Sequence, residues 1–535
     1  GEYAFAGAIY RKAYSKISFK DKDLRSVAAF KQGECYRQTN LPRAEQAYQN
    51  AVRNKYADSI VFFRLAQAEH KNGKFKAAIQ NYNTYLNASP DDALAISSLQ
   101  GARLADSLIA NPSRYIIRRE RDLNVGRSSS FSPSFAGIDG DLLIFTSNRK
   151  VSSKEKAQKN NKVSGQPNNS LFQIKRNSQK KWDKPEIVEG DINTKNDEGI
   201  ASFTQNGQNI YFTRSITEDA KGDGTQILTA ARSGGSWGAP SPITLYSDST
   251  ISVAHPTITP DGSTLYFVSD APGGFGGKDI WRTKLEGGKP TFIENLGDQI
   301  NTTGDEMFPT FKPDGTLYFS SNGHAGMGGL DIFEATEVTK EDSTKNWHVV
   351  NMGTPVNSSY DDFGMTFEGT TNTGYDAIWH FELPELEYFL EGKILTRNGE
   401  VIPEARINVV SDDGETARIN TKGDGSFRYK LKPNINYLLQ ASGNGYLNKS
   451  DTLSTFLVSR RKSETLTRNF KLMPSFESTR IDNIYYDFDK ATLRPESKEG
   501  LNELIGMMNE NPNITIELSS HTDYIGNNTY NRDLS

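Results

Sequence analysis

The 535-residue chain holds one cysteine, Cys35, and six histidines, and it has no run of apolar residues longer than four. A lone thiol excludes an internal disulfide framework and a thiolate zinc cluster. The apolar runs fall far below the roughly 20 residues that a membrane-crossing helix needs. Charge of one sign is also missing: 62 Lys and Arg against 66 Asp and Glu leave a formal net charge of −4. Nothing global therefore favours nucleic acid or an anionic surface. The histidines, at 70, 255, 324, 348, 380 and 521, are scattered, and no His-Glu-x-x-His zinc motif occurs. A hydrolase would be left with unpaired carboxylates, and no nucleophile elbow is expected. The opening residues lack the basic and apolar parts of a signal peptide, and the start at Gly1 reads as a processed or trimmed chain.

What is present is length and repetition. At about 100 to 200 residues per domain, the chain spans three or four domains. From Tyr3 to about Ala110 apolar residues recur at three- and four-residue spacing, as in Ala44, Ala47, Tyr48 and Ala51, which predicts helices. Tyr14, Tyr48 and Tyr82 stand 34 residues apart, as do Ala44 and Ala78. That interval is the tetratricopeptide (TPR) length. The second unit fits it best, through Phe62, Leu65, Ala66, Ala78, Tyr82, Tyr85 and Pro90. The first is weaker, with Lys31 and Gln32 where Leu and Gly are usual. Two readings stay open for residues 1–112: a helical spacer, or a groove that holds a peptide or partner subunit.

Between Tyr115 and Pro384 the texture turns to short β runs joined by Asp-Gly or Asn-Gly pairs, a tight-hairpin signal. Pro256-Thr-Ile-Thr-Pro-Asp-Gly-Ser-Thr-Leu-Tyr-Phe-Val-Ser269 and Pro309-Thr-Phe-Lys-Pro-Asp-Gly-Thr-Leu-Tyr-Phe-Ser-Ser321 are copies of one unit, with looser copies near Ser132, Ser202 and Phe363. Each copy leads to a further strand, at Asp279-Ile-Trp281, Asp331-Ile-Phe333 and Ala377-Ile-Trp379. Trp182, Trp237, Phe292 and Trp347 repeat every 55 residues. Four strands per unit, repeated five times, predict a β-propeller over residues 113–386. It has five or six blades, the segment near Tyr115 to Arg118 being available to complete the last one. The units resemble the PD40, or TolB-type, repeat. Their lead-ins, Asn193 before Asp197-Glu198, Asn301 before Asp305-Glu306 and Asn357 before Asp361-Asp362, have two readings. The carboxylates either line one mouth for a cation or basic peptide, or satisfy backbone N–H groups in turns. The third blade departs, with Ser252 and His255 at these positions. The Gly-rich stretches Gly273–Gly277 and Gly323–Gly329 lack the Lys-Ser/Thr of a phosphate loop and read as blade turns. The polar insert 151–170 reads as a surface loop.

Residues 387–473 are similar to the carboxypeptidase-regulatory-like β-sandwich, on Thr421-Lys-Gly-Asp-Gly-Ser-Phe427 and Gly445-Tyr446, and that resemblance implies a non-catalytic spacer. From 480 to 535 come Ile484-Tyr-Tyr-Asp-Phe-Asp489, an amphipathic helix with Leu501, Leu504, Ile505 and Met508 on one face, and an alternating strand at Ile514, Ile516 and Leu518. Ser520-His-Thr-Asp523 and Asn531-Arg-Asp-Leu-Ser535 follow. This stretch resembles a truncated OmpA-like peptidoglycan-binding domain. The resemblance implies that Asp523 takes the ammonium of the diaminopimelate stem peptide, that Thr522, Asn531 and Asp487 support it, and that a partner Arg lies beyond Ser535.

The four segments in this order resemble the PorE-type periplasmic subunits of the Bacteroidetes type IX secretion system and their OmpA-family relatives. That implies a non-enzymatic periplasmic scaffold associated with the outer membrane. It would bind peptidoglycan at one end and the subunits of an envelope machine through its helical and propeller surfaces, with no cofactor, no metal and no nucleic-acid partner. The alternatives are a propeller that captures a small ligand while the wall domain holds it in place, and a propeller hydrolase acting on glycan or peptide.

Overall fold

The computed structural model describes all residues except 1, 40, 125–127, 138, 151–163, 217–223, 340–344, 369–370, 375–377, 385, 457–461, 478–481, 483, 488–489, 491, 520–526 and 535. The chain divides into two compact units, residues 1–384 and 385–535.

The first unit opens with six helices, α1 (Tyr3–Lys16), α2 (Lys22–Thr39), α3 (Leu41–Arg53), α4 (Ile60–Lys71), α5 (Phe75–Leu86) and α6 (Ala93–Ala110), each packed on the next. The 34-residue interval has a packing cause. Ala44 and Ala78 are fully buried, and beside them Tyr48 and Tyr82 fill equivalent grooves. Small alanines let the backbones approach, and a ring then occupies the remaining space. The weaker first unit solves its contact one residue later than the pattern suggests: a Cβ at Gly33 would lie 2.5 Å from the Tyr48 ring. Tyr48 Oη donates to Glu34 Oε1 at 2.7 Å, so this buried hydroxyl has a partner.

Five sheets follow, four of them four-stranded and the second five-stranded. Blade one holds Ser130–Phe135, Leu142–Ser147, Ser170–Lys175 and Glu186–Ile187. Blade two holds Glu198–Phe203, Asn209–Ile216, Gly224–Ser233 and Ser241–Pro242, with Ser236–Trp237 beside them. Blade three holds Val253–Ile258, Thr264–Ser269, Asp279–Glu286 and Lys289–Asn295, and blade four Glu306–Phe311, Leu317–Ser321, Asp331–Thr339 and Lys345–Asn351. Blade five is composite. Met365–Glu368, Thr371–Gly374 and Trp379–Glu382 are joined by Ile116–Arg119, which pairs antiparallel with Trp379–Glu382. The first strands of the blades contact one another in a closed ring, the fifth returning to the first. This is a propeller-like fold with five blades, and the strand near Tyr115 completes the fifth rather than starting a sixth.

The 55-residue aromatic period holds in sequence but not in environment. Trp237 is buried under blade two, whereas Phe292, on the outer strand of blade three, is 75% exposed. Outer strands line the rim, where a ring either packs under a neighbouring arginine, as Trp182 does beneath Arg176 at 4.4 Å, or faces water. The insert at 151–163 lies outside the described residues.

In the second unit two four-stranded sheets face each other. Ser426–Leu431 pairs with Tyr388–Thr396, which also pairs in parallel with Glu464–Thr467 and Phe470–Leu472. The other sheet runs Thr416–Asn420, Arg406–Ser411, Asn436–Ser442, Lys449–Ser454. Leu390, Ile394, Phe427 and Phe470 from one sheet meet Ile407, Val409, Leu439 and Ala441 from the other in a single core. The Thr421–Phe427 signature is a hairpin turn. Asp424 Oδ1 accepts from the Ser426 N–H, Gly425 takes the left-handed conformation and Phe427 enters the core.

Beyond the sandwich come α7 (Lys498–Glu510) and the short α8 (Asn528–Leu534). The amphipathic helix is present as expected, but the strand at 514–518 is not. No described segment pairs with it, Leu518 is 64% exposed, and an extended segment without a neighbour leaves its N–H and C=O groups to water. No helix among the described residues is long and apolar enough to cross a membrane.

Gly33→Ala is expected to destabilise the helical layer by about 1–3 kcal/mol, because the new methyl overlaps the buried Tyr48 ring. Thermal unfolding followed by helical circular dichroism checks this. An unchanged midpoint would show that the α2–α3 contact is not close-packed.

Candidate functional site

Four of the five inner strands of the propeller carry the same irregularity. Register shifts fall at Phe131/Ser134, Gly199/Ala201, Ala254/Thr257 and Met307/Thr310. A left-handed residue sits in each: Ser132 (φ 46°), Ile200 (52°), His255 (50°) and Phe308 (55°), with Gly364 (73°) at the same place in blade five. For a β-branched or aromatic residue this conformation costs on the order of 1–3 kcal/mol, so neighbours must hold it. The Ile200 N–H donates to Thr146 Oγ1 and the His255 N–H to Thr213 Oγ1, each at 2.9 Å on the second strand of the preceding blade. Blade three has Val268 at the position of Thr146 and Thr213, and the imidazole replaces the missing hydroxyl: the Phe308 N–H donates to His255 Nδ1 at 3.3 Å. Burial lowers the His255 pKa to about 3, so the ring stays neutral and free to accept.

The bulges surround a cavity of about 290 Å³ on the propeller axis. Two residues past each left-handed position stands a hydroxyl: Ser134, Ser202, Thr257, Thr310 and Thr366, all lining the cavity. Thr257 Oγ1 donates to the Pro309 carbonyl and Thr310 Oγ1 to that of Met365 (2.9 Å), while Ser202 Oγ accepts from the Ile258 N–H (3.1 Å). Where the inner strands begin, four rings run round from blade three to blade one. His255 stacks on Phe308 at 4.1 Å and Phe308 on Phe363 at 4.5 Å, and Phe131 meets Phe363 edge-on at 5.9 Å. The hairpin turns at Gly137, Gln205, Pro260 and Pro313 line the other end.

The lead-in carboxylates do not face this channel as an open acidic mouth. Thr302 Oγ1 and Ser321 Oγ donate to Glu306 Oε1 at 2.6 Å each, and the Thr302 N–H donates to Oε2. Glu198 takes Thr194 and the Arg214 guanidinium (2.9 Å), and Asp362 takes the Ser358 N–H and hydroxyl. The asparagines before them clamp the preceding blade. Asn301 Oδ1 accepts from the Ile280 N–H while its Nδ2 donates to the Ile280 carbonyl, and Asn193 and Asn357 do the same with Leu171 and Ile332. The turn reading of these motifs therefore accounts for them. Burial pushes Glu306 and Asp362 up to about 7, and Asp331, next to Asp362, well above the usual carboxylate range.

The Gly-rich turn 323–329 does more than turn the chain. Ser97 Oγ on α6 donates to the Gly323 carbonyl at 2.6 Å, and a Cβ at Gly101 would stand 2.3 Å from the Gly326 oxygen. Lys71, at the end of α4, pairs with Asp361 in the lead-in to blade five, and Thr354 Oγ1 donates to the Leu108 carbonyl at 2.9 Å. His70, buried beside this contact, meets Tyr82 Oη, and burial lowers its pKa to about 4. Helices and propeller are thus bonded together on one side of the ring. Glycine's lack of a side chain is required at 101 because the backbone of Gly326 nearly touches it there, whereas a Cβ at 326 would meet the Asp331 carboxylate.

Of the four expected wall-binding residues, Asp523 and Thr522 lie outside the described residues, as does the Asn531 side chain within α8. Asp487 is exposed and already faces Arg494 (3.4 Å) and Lys490 (3.8 Å). One stretch passed over in the sequence, Gly234-Gly-Ser-Trp-Gly238, does have the spacing of a nucleophile elbow. It forms a tight hairpin, Ser233 opposite Ser236, joining strand to strand rather than strand to helix, with Ser236 exposed. The channel hydroxyls were also missed. Their signal in the sequence is a recurring quartet: Ser132-Pro-Ser-Phe, Ile200-Ala-Ser-Phe, His255-Pro-Thr-Ile, Phe308-Pro-Thr-Phe and Gly364-Met-Thr-Phe.

Residues 390–472 match the carboxypeptidase regulatory-like domain family. No curated protein sequence matches the chain. Among solved structures, a puromycin-hydrolyzing peptidase of Mycobacterium tuberculosis is 15% identical over 57% of this chain and 42% of its own, with a TM-score of 0.28. A GH43 beta 1,3 galactosidase is 10% identical over 51% and 94%, with a TM-score of 0.29. Dipeptidyl peptidase 4 of Porphyromonas gingivalis is 13% identical over 49% and 36%, with a TM-score of 0.24. The chain spans about half the length of the first of these structures, and such scores carry nothing about activity.

Two outcomes follow from this geometry. Folded Glu306 holds its proton up to about pH 7, against 4.5 as the ordinary value, so its contribution to stability is present at low pH and is lost as pH rises from about 4.5 through 7. Glu306→Gln should reduce the difference in propeller stability between pH 5 and pH 8 by roughly 1–3 kcal/mol. Urea unfolding read by tryptophan fluorescence measures this, since all five tryptophans lie between residues 182 and 379. Gly101→Ala should force α6 off the Gly326 backbone, so that helical circular dichroism and tryptophan fluorescence, coincident in the parent, show separate transitions. Coincident transitions in the variant would mean the contact does not couple the two parts.

Proposed function

We propose that the chain is a non-enzymatic periplasmic scaffold. In this reading residues 1–112 are a TPR-type repeat and residues 480–535 belong to an OmpA-like domain that binds the diaminopimelate stem of peptidoglycan. The helical and propeller surfaces hold subunits of an outer-membrane-associated machine, most closely one of the type IX secretion kind. The observation that carries the reading is the bonded contact between α4, α6 and blades four and five, which makes the helices and propeller one composite platform instead of beads on a string. A scaffold needs such rigidity, because a partner gripped by one element is then positioned relative to the other.

The use of the histidines supports the same reading. His70 packs against Tyr82, His255 accepts a backbone N–H, and His324 Nε2 bonds the Ile300 carbonyl. Each of these imidazoles is engaged in holding structure, whereas general-base catalysis needs a ring poised toward substrate. In the second unit α7 is tied to the sandwich edge: the Asn448 N–H donates to Asn511 Oδ1 at 2.6 Å and the Ser450 N–H to Glu510 Oε1 at 3.1 Å. Those bonds cover an otherwise open strand edge and limit the play between spacer and terminal segment.

Co-sedimentation of the full-length protein with purified peptidoglycan sacculi, beside its Asp523→Ala variant, tests the wall anchor. The parent should pellet and the variant should lose most of its binding, a tenfold or greater loss being expected of a charge-assisted contact worth about 1.5–3 kcal/mol. A folded parent that stays in the supernatant sinks the anchor.

A further inference from the structure

We propose that the propeller's axial channel is a binding site for a neutral saccharide unit. The reading rests on the repeated hydroxyl layer and is independent of the wall anchor.

Among the described residues, no ionisable side chain lines the cavity. Its surface consists of serines, threonines, one glutamine, glycines, prolines and apolar or aromatic residues. A charged ligand entering there would give up hydration without a counter-charge, which is heavily penalised. The neighbouring carboxylates offer no such charge, because Glu198, Glu306 and Asp362 are enclosed by their own turns. A purely apolar ligand fits no better. It would cover the half-buried hydroxyls of Ser134, Ser202, Thr257 and Thr310 and leave their unused bonding capacity unpaired.

The five hydroxyls form one layer around the axis: in blades one to four the same bulge sets the same register, and in blade five the left-handed Gly364 stands just before the strand that carries Thr366. Their roles are mixed. Thr257 and Thr310 spend their protons on carbonyls and present lone pairs, while Ser202 accepts from a backbone N–H and keeps its proton for a ligand. A layer that mixes donors and acceptors between prolines and the Phe308 ring suits a molecule with hydroxyls around its edge and C–H groups on its faces. A sugar ring has that distribution. An extended peptide carries its polar groups in a line and would meet only part of the layer. The volume, about 290 Å³, lies at the low end of the roughly 300–1,000 Å³ of small-molecule pockets, which suits about one or two sugar rings.

The test uses the full-length protein, saturation-transfer NMR and calorimetry with four probes: cellobiose, N,N′-diacetylchitobiose, glucuronate, and an N-acetylated trialanine amide. At least one neutral disaccharide should bind at a single site, and glucuronate should not. Ser134→Ala should weaken that binding about three- to tenfold, the value of one neutral hydrogen bond. The unfolding midpoint read by tryptophan fluorescence should stay unchanged, since the change keeps the backbone pairing of Ser134 with Ile144 and removes a hydroxyl that bonds no described residue. Ser134→Phe should abolish binding by filling the channel. Asp523→Ala should leave the affinity unaltered, so failure here and failure of the wall anchor are read separately. The proposal is overturned if neither disaccharide binds, if the peptide binds and the sugars do not, or if a folded Ser134→Phe variant retains full affinity.

Discussion

Strand Ile116–Arg119 pairs with Trp379–Glu382, so a segment from before the first blade supplies the outer strand of the last. The remaining architecture of the first unit depends on that pairing. An open stack of sheets would leave two faces and several strand edges to water, whereas a closed ring buries every blade face against a neighbour. Closure also places the end of α6 a few residues from the seam. There the Ser113 N–H donates to the Thr354 carbonyl and the Arg114 guanidinium to that of Pro384. The helices are therefore fastened where the ring is fastened.

Within the ring, one irregularity repeated in four blades, with a left-handed glycine at its place in the fifth, organises the interior. A left-handed residue is unfavourable locally at Ile200, His255 and Phe308, but the N–H of the first two is met by a hydroxyl of the preceding blade, and that of Phe308 by His255, where valine stands in place of that hydroxyl. The bulge rotates the next residues so that one side chain enters the inter-blade core and its neighbour faces the axis. Phe203 and Ile258 are buried on the first side, and Ser202 and Thr257 line the channel on the second. The strain is thus coupled to a uniform, uncharged lining.

The second unit follows a different logic. Its sandwich is closed by parallel pairing of its first strand with its last two, and its open edge at Lys449–Ser454 is covered by the end of α7. The apolar face of α7 is less settled: Ile505 and Met508 remain partly exposed, and the segment after it does not pair.

The chain's order of parts was legible from periodicity alone. Helical spacing over Tyr3–Ala110, the repeated Asp-Gly or Asn-Gly hairpins and the Thr421–Phe427 signature are local patterns, and local backbone preference with side-chain alternation is enough to produce them. Even the strand that closes the ring was visible as a candidate. What the tertiary structure alone decided were relations between distant residues. Trp237 and Phe292 share a sequence period but not an environment, because rim packing depends on which neighbour stands opposite. The lead-in carboxylates turned out to be turn clamps, because hydroxyls and N–H groups from other strands enclose them. The turn 323–329 became a docking surface because α6 presents Gly101 to it. The hydroxyl layer was written in the sequence as a quartet, yet only ring closure brings five copies to one axis. A repeat states what each blade carries, and the geometry of closure determines what those residues face together.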